Sequence, residues 1–275
     1  MVRRLRAITG AKRVGHAGTL DPLATGVLPI LFESATRLAD FAHLLPKTYL
    51  ADIHLGFRTN TDDAEGELEP VGDPSGLAAD AVAESLAGFV GRILQAPPAF
   101  SAVKIDGQRS YKLARAGGVP APAPREVVIE SIRLLGFRTG ASAVASVEVV
   151  CGSGTYLRAL ARDLGERLGV GGYLGRLVRS AYGALSLADA VGIADLPDAA
   201  AVEAHLLPPE SVLPEMERVR LNVEQEAMVR QGRAVRVLPE PGSGPLRAHS
   251  ADGRLIALGH ADPLRRTFVP EKVFA

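Results

Sequence analysis

Apolar residues spaced three or four positions apart predict four helices. Val2, Leu5 and Ile8 recur at helical spacing among arginines, so the chain is predicted to open with a short basic amphipathic helix. Gly10 is a suitable residue to end it. The same spacing predicts three further helices, over 34–45 with Ser34 as the cap, over 79–89 and over 157–168.

Alternating apolar and polar residues predict strands. The alternation is clearest over 47–56, where apolar side chains share one face and Thr48, Asp52 and His54 lie mainly on the other. Further strands are predicted over 28–32, 127–137 and 143–150. The acidic stretch 59–69 is predicted to be a loop whose carboxylates are solvated.

Length and composition narrow the class of protein. The 275 residues are 47% hydrophobic and 23% charged, which is typical of a globular domain and favours one large domain with one small one. The single cysteine, Cys151, cannot form an intramolecular disulfide, and no Cys/His cluster has zinc-ligand spacing. Because no apolar run has membrane-spanning length or resembles a secretory signal, we expect a cytoplasmic protein without a membrane partner.

Charge is balanced over the whole chain but not along it. Lysine plus arginine equals aspartate plus glutamate at 31 each, so the net charge does not indicate a nucleic-acid partner. Residues 1–37, however, contain six basic side chains against two acidic ones. Taken alone, such a stretch is more often a solvated helix face than a binding surface.

The glycine-rich stretch around Asp21 is the first candidate for chemistry. Residues 15–26 contain three glycines and one proline without a helical or strand period, which predicts a shaped loop. Asp21, followed by Pro22, is a candidate nucleophile there, because glycine backbones let a substrate approach closely. Most Asp-Pro pairs simply begin turns, so this motif alone leaves both interpretations open.

The longer string around Asp21 resembles a known family. Residues 15–29 (GHAGTLDPLATGVLP) are similar, nearly letter for letter, to the signature of the TruB pseudouridine synthases, which make pseudouridine 55 in the T-loop of tRNA. Three further stretches resemble the family in the same order, 47–49 (KTY), 95–104 (QAPPAFSAVK) and 151–158 (CGSGTYLR). The resemblance covers about three quarters of the chain, and ordered matches arise by chance far less often than one motif.

The resemblance implies an isomerase that needs neither a metal nor an organic cofactor. Asp21 would attack C1′ of the target ribose, or assist removal of the C2′ proton to give a glycal, so that the base detaches, rotates and rejoins through C5. Arg158 would hold the ionised carboxylate bidentately. Tyr49 would stack on the flipped uracil with its hydroxyl towards the sugar. From the residues alone, a surface arginine and a core tyrosine are the alternatives for the last two.

The resemblance also implies contacts with RNA. His16 would wedge into the T-loop beside the extruded base, and Tyr156 and Leu177 would wall the base pocket, although packing alone would explain Leu177 almost as well. Four basic residues would contact phosphates: Lys104, Arg109, Lys112 and Arg115. The implied partner is therefore tRNA, through its T-arm and also its acceptor stem, and the chain is expected to be a monomer.

The implied fold class is α+β, with the pseudouridine-synthase fold: a mixed, mainly antiparallel sheet flanked by helices, followed by a small β-rich C-terminal domain related to PUA domains. The proline-rich stretch 208–214 places the boundary between them. The catalytic domain would span 1–215, with an RNA-gripping insertion at about 95–125. The RNA-binding PUA-like domain would span 216–275, although this unit could equally be a packing appendage.

Two other functions remain open at this point. An RNA-binding or RNA-folding module without chemistry would bind tRNA and form no pseudouridine. A retaining glycosidase would need two carboxylates about 5 Å apart, and the acidic residues 62–65 are predicted to be solvated rather than close to Asp21.

The resemblance carries one expectation about the start of the chain. In this family a strand and a Lys-Pro-Gly-Thr-Ser type segment ordinarily precede the basic helix, whereas this sequence opens directly with that helix. We therefore expect Met1 to be internal to a natural protein longer by roughly 20–30 residues, enough for one strand with its turn and linker. The alternative is a natural truncation with reduced or no activity.

Overall fold

The chain folds into a seven-stranded sheet and a five-stranded sheet with helices packed beside them. The structure is a computed structural model that describes residues 1–101, 103–105, 107–110, 118, 122–237 and 244–274. Up to residue 95 its elements are α1 (Val2–Thr9), β1 (Val14–His16), β2 (Thr25–Gly26), β3 (Ile30–Phe32), α2 (Ala39–His43), β4 (Lys47–Leu55), β5 (Phe57–Thr59), β6 (Leu68–Pro70), α3 (Ala79–Ala87) and β7 (Gly91–Gln95).

The second part of the chain supplies the other strands of both sheets. Up to residue 204 its elements are β8 (Lys104–Ile105), β9 (Gln108–Arg109), β10 (Arg125–Arg138), β11 (Ala143–Cys151), α4 (Leu157–Arg167), β12 (Gly172–Tyr182), β13 (Leu185–Ser186) and α5 (Ala199–Ala204). The C-terminal elements are β14 (Glu217–Arg220), α6 (Val223–Arg230), β15 (Val235–Arg236), β16 (Pro245–His249), β17 (Leu255–Asp262) and β18 (Thr267–Val273). Among the described residues, no helix is long and apolar enough to cross a bilayer.

β4 lies at the centre of the seven-stranded sheet. The strand order is β13-β12-β4-β11-β10-β7; these neighbours are antiparallel, and β2 adds to β12 in parallel. The predicted alternation in β4 is confirmed, because Ala51, Ile53 and Leu55 are buried in one apolar cluster with residues of α3 and α4. These two helices therefore cover the same face of the sheet that carries Tyr49.

β12 is a long strand that the sequence pattern does not predict. Its register against β4 shifts twice, between Leu174 and Arg176 and again between Arg179 and Ala181. Each irregularity changes which side chains face the core, so apolar residues do not keep a period of two. The strand nevertheless pairs with nearly the whole length of β4.

The predicted helices are confirmed in three of four cases. α1 ends at Gly10, whose φ of 67° is the left-handed conformation common at helix ends. The prediction for 34–45 is wrong in its type and its cap: Glu33–Leu38 is a 3-10 helix followed by the short α2, and neither has a side-chain cap. The turn begins one residue earlier, at Glu33 with a φ of 48°, so Ser34 already lies inside the 3-10 helix.

The C-terminal unit has its own sheet and its own apolar core. Its strand order is β14-β16-β17-β18-β15, and α6 packs on it through Val229. Leu258 and Phe274 also join a cluster with Leu38 and Val212, so this unit contacts the first one through apolar side chains. The mainly antiparallel sheet flanked by helices and the small β-rich C-terminal unit confirm the predicted architecture; the exact boundary between 215 and 216 stays a prediction.

Candidate active site

Asp21 lies in the loop between β1 and β2, and backbone contacts close this loop at both ends. Ala17 donates its N–H to Pro29 O at 3.1 Å, and Val27 donates to Arg179 O of β12 at 2.8 Å. A Cβ on Gly26, whose φ is 101°, would lie 2.2 Å from Arg179 O, so glycine is required for this approach. The predicted shaped loop is confirmed around Asp21, although its two ends form short strands.

Arg158 holds the Asp21 carboxylate with two hydrogen bonds. It stands in the first turn of α4 and donates Nε to Asp21 Oδ2 at 3.0 Å and Nη2 to Asp21 Oδ1 at 3.3 Å. The Arg158 side chain is 5% exposed and that of Asp21 is 25% exposed, so the arginine is enclosed while the carboxylate keeps an open side. Such a bidentate pair fixes the carboxylate in position.

A second carboxylate, Asp63, approaches the same guanidinium. Asp63 Oδ2 lies 3.5 Å from Arg158 Nη1, and both side chains are almost completely buried. Asp63 Oδ1 accepts hydrogen bonds from Thr61 Oγ1 at 2.6 Å and from Glu65 N at 3.1 Å. The prediction that the acidic residues 62–65 are solvated is therefore wrong for Asp63.

Asp63 is buried because the backbone on both sides of it joins β12. Leu174 N donates to Asp62 O at 3.0 Å, and Ala64 N donates to Leu174 O at 2.9 Å. Asp62 pairs with Arg162 of α4 at 3.0 Å; burial raises the pKa of Asp62, and the charges of Arg162 and Arg158 oppose that shift. Asp62 and Asp63 are adjacent in the sequence, and they face Arg158 and Arg162, which are spaced i and i+4 on one helix. This spacing is a sequence signal for the buried acidic residues, and it was not used in the prediction.

Two tyrosines lie within electrostatic reach of Asp21. Tyr49 is half-buried on β4; burial raises its pKa, the charge and hydrogen bonding of Arg179 oppose this, and the Asp21 charge adds a smaller upward effect. Tyr156 directly precedes α4, and its pKa is raised first by burial and then by Asp21. Gln95 fixes the Tyr156 backbone by accepting from its N–H at 2.9 Å and donating to its carbonyl at 3.1 Å.

The remaining predicted site residues lie in different surroundings, and two of them lie outside the described residues. Leu177 is 3% exposed inside the main core cluster, in agreement with the packing alternative. His16 is exposed at the end of β1, and its Nδ1 accepts from Gly18 N at 3.3 Å, which directs Nε2 away from the loop backbone. The backbones of Lys104 and Arg109 pair in the β8–β9 hairpin. Lys112 and Arg115 lie outside the described residues.

No metal cluster of the described residues marks this site, and a large cavity lies elsewhere. In the described ranges, no three His, Cys, Asp or Glu side chains come together as metal ligands. A cavity of about 400 Å³ lies between β3 and residues 185–212 and contains none of Asp21, Tyr49 and Arg158. The candidate site is therefore defined by its ion pairs and aromatic rings, beside the exposed side of the Asp21 carboxylate.

Known proteins resemble this chain over most of its length. The model of the TruB family pseudouridylate synthase N-terminal domain matches residues 6–157. The tRNA pseudouridine synthase B of Synechococcus sp. is 43% identical over 263 residues, covering 94% of this chain and 88% of that protein. The enzyme of the same name from Leifsonia xyli is 42% identical over 265 residues, covering 94% and 86%.

Solved structures show the same fold at lower identity. A chain of a Cbf5-Nop10-Gar1 complex superposes with a TM-score of 0.72 at 23% identity, covering all of this chain and 79% of that one. A chain of an H/ACA ribonucleoprotein bound to a substrate RNA gives a TM-score of 0.71 at 21% identity. This likeness confirms the predicted fold, and the sequence matches confirm the predicted family. The chain belongs to the TruB family of pseudouridylate synthases, which are isomerases.

Proposed function

We propose that this chain isomerises uridine 55 in the T-loop of tRNA to pseudouridine, with Asp21 as the reacting carboxylate. The observation that carries the proposal is the bidentate contact of Asp21 with the buried Arg158, at 3.0 and 3.3 Å. Both possible routes need an ionised carboxylate, which the buried guanidinium holds in a fixed position. The relatives named tRNA pseudouridine synthase B support tRNA as the substrate.

In the first route, Asp21 attacks C1′ of the ribose. An ester bond forms at C1′ while the C1′–N1 bond breaks, and the electron pair leaves with the uracil. After rotation, C5 bonds to C1′ and releases the carboxylate; the C5 proton is then lost and N1 gains a proton. Each Asp21 oxygen accepts one hydrogen bond from Arg158 and keeps a further lone pair, so the carboxylate can attack while it is held.

In the second route, Asp21 takes the C2′ proton while the C1′–N1 bond breaks, which gives a glycal. The same proton returns to C2′ when C5 bonds to C1′, so the overall change is identical. The 25% exposure of the Asp21 side chain leaves room for either approach. The structure supports both routes equally, since each uses the same carboxylate from the same cleft.

The side chains around Asp21 suit a flipped base. A uridine in a folded loop is stacked, so an enzyme acting on its glycosidic bond must extrude it and fill the gap. Tyr49 would stack on the uracil, Tyr156 and Leu177 would enclose it, and the exposed His16 would take its former place in the loop. Their closeness to the Asp21 loop supports these roles.

The proposed contacts with RNA outside the base pocket rest on the positive charge of the side chains. The basic side chains Lys104, Arg109, Lys112 and Arg115 would contact phosphates of the T-arm. The C-terminal unit, residues 216–275, would act as a PUA-like domain against the acceptor stem, and residues 1–215 would form the catalytic domain with its insertion at about 95–125. We propose a monomer acting in the cytoplasm.

A glycosidase is disfavoured by the environment of Asp63. A retaining glycosidase needs a second carboxyl group that reaches the leaving group as an acid. Asp63 is the nearby candidate, but it is 3% exposed and its oxygens are engaged by Arg158, Thr61 and the backbone of Glu65. It is therefore better suited to orient Arg158 than to touch a sugar.

Tritium release tests the proposed function directly. Unmodified tRNA transcript carrying tritium at uridine C5 is incubated with the purified chain, and a matched transcript has cytidine in place of uridine 55. We expect release from the first transcript and none from the second, because only isomerisation replaces that C–H bond. Binding without release would favour an RNA-binding module, and release from both transcripts would place the reaction at another uridine.

A further inference from the structure

Arg179 of β12 is a deeply buried cation that donates hydrogen bonds to two carbonyls of the Asp21 loop. Its side chain is 1% exposed. Nε donates to Val27 O at 2.7 Å, and Nη2 donates to Gly18 O at 3.4 Å. These two acceptors stand at the two ends of the loop that carries Asp21, so one guanidinium bridges both ends.

The backbone of Arg179 holds the same loop a second time. Val27 N donates to Arg179 O at 2.8 Å, and Gly26 is the parallel partner of Arg179 between β2 and β12. Because hydrogen bonds from an ionised donor are stronger than neutral ones, and buried ones more so, the side-chain bridge adds substantially to these backbone contacts. The side chain and the backbone of Arg179 therefore both fix the loop to β12.

Arg179 also faces the proposed stacking residue. It is the register partner of Tyr49 across β12 and β4, and its charge opposes the effect of burial on the pKa of Tyr49. Behind it, the guanidinium lies 5.1 Å from the ring centroid of Tyr182, which is fully buried. A Cβ on Gly18 would lie 3.3 Å from Tyr182 Oη, so the same ring also supports the loop.

We propose that Arg179 is a positioning residue for the reaction: it fixes the loop 18–27 against β12 and so sets the place of Asp21 relative to Tyr49. This inference rests on the proposed function, but Arg179 itself touches no reacting atom. A lysine cannot replace it, because one ammonium on a flexible stem does not reach two carbonyls in a fixed fork. Misplacing a catalytic group by about 1 Å lowers a rate by roughly 10²-fold.

The test compares three variants of the full chain. Arg179→Lys keeps the positive charge but loses the two-pronged guanidinium. Arg179→Met removes the charge and keeps an unbranched apolar side chain, which a buried site tolerates. Arg176→Lys is the matched control, because Arg176 is exposed on the same strand. Three quantities are measured: the single-turnover rate of tritium release, the Kd for tRNA, and deuterium uptake by peptides covering 18–27 and α3.

We expect both Arg179 variants to lose about 10²-fold in rate, with the Kd within about threefold of wild type and faster deuterium uptake in 18–27 but not in α3. Arg176→Lys should match the wild type in all three. A rate or loop exchange that stays at the wild-type value in either Arg179 variant would overturn the proposal. Equal acceleration of exchange in α3 would also overturn it, because Arg179 would then act on overall stability. If the wild type released no tritium, the proposed function would fail while the exchange data still decided whether Arg179 orders the loop.

Discussion

The two units of this chain differ in whether they bury charged side chains. Four charged side chains in the described structure are buried, and all belong to the first unit: Lys47, Asp63, Arg158 and Arg179. In the C-terminal unit the ion pairs lie partly or largely in solvent, as for Arg230–Glu226, Arg254–Asp252 and His260–Glu271. Its core consists of apolar residues from the sheet and α6.

This difference indicates where geometry matters more than stability. Burying a charge is unfavourable unless hydrogen bonds compensate, and an apolar replacement of similar size is often as stable or more so. The four buried charges lie on β4, β12, α4 and the acidic loop, and these elements meet at Asp21. We infer that they are retained because they fix the relative positions of groups that must react. The C-terminal unit shows no such concentration within its described residues.

Among the residues around Asp21, the largest effect should follow from Arg158→Lys. The lysine keeps a positive charge but cannot bond both Asp21 oxygens together with the carbonyls of Thr61 and Phe100, which Arg158 reaches at 3.2 and 3.1 Å. We expect single-turnover tritium release to fall about 10²–10³-fold, with tRNA affinity largely kept. Arg167→Lys, exposed at the other end of α4, is the control. Near-normal activity of Arg158→Lys would contradict the inference that the buried charges fix the positions of the reacting groups.

A smaller loss should follow from Tyr49→Phe, which keeps the ring and removes the hydroxyl. If the hydroxyl takes part in proton transfer at the sugar, turnover falls about 10²-fold while binding is kept. Tyr173→Phe removes a hydroxyl at the opposite end of β12 and should leave turnover unchanged. Unchanged turnover of Tyr49→Phe would reduce this tyrosine to a stacking platform.

The loss of stability on removing one partner of an ion pair should also differ between the two units. Asp63→Asn removes one partner of a pair whose side chains are 4% and 5% exposed, and we expect it to lower the free energy of unfolding by about 3 kcal/mol. Glu226→Gln acts on an i,i+4 pair exposed to 18% and 34%, and about 0.5 kcal/mol or less is expected. Urea denaturation measures both. Equal losses would show that burial of charge does not distinguish the units.

The pH dependence of stability should report the burial of Lys47. Its Nζ donates to His43 O at 2.6 Å and Ser153 Oγ at 2.7 Å, and burial lowers its pKa from 10.5 to about 8. Between these values the unfolded chain binds the proton more than the folded one, so the stability of the wild type rises with pH. Relative to Lys47→Met, the wild type should gain free energy of unfolding from pH 8 to 10.5. A difference independent of pH would show that Lys47 is not desolvated.

The sequence predicted β4 and missed β12 for a physical reason. β4 keeps one register against β11 along its length, so Ala51, Ile53 and Leu55 all reach the cluster with α3 and α4. β12 carries two register shifts, and these conceal from a period-two analysis the strand that holds both Arg179 and Leu177. A bulged strand is recognised only when its partner is known.

The motifs that contain the candidate site residues could be recognised from the sequence, but the long-range contacts of the site could not. Asp21, Tyr49 and Arg158 stand in recognisable motifs, whereas the buried state of Asp63 depends on hydrogen bonds between its loop and Leu174, more than a hundred residues later. Arg179 likewise acquires its contacts only when β2 pairs with β12. Local patterns therefore provided the proposed reacting groups, and the fold supplied the residues that contact them.

Asp21→Asn is the most direct test of the account. The substitution preserves shape and removes the ionised carboxylate, so tritium release from tRNA should fall below about one thousandth of wild type while tRNA affinity stays the same. Asp80→Asn, an exposed aspartate in the first turn of α3, should retain full activity. Release by Asp21→Asn above that level, with the Asp80 control intact, would contradict the assignment of Asp21 as the reacting carboxylate.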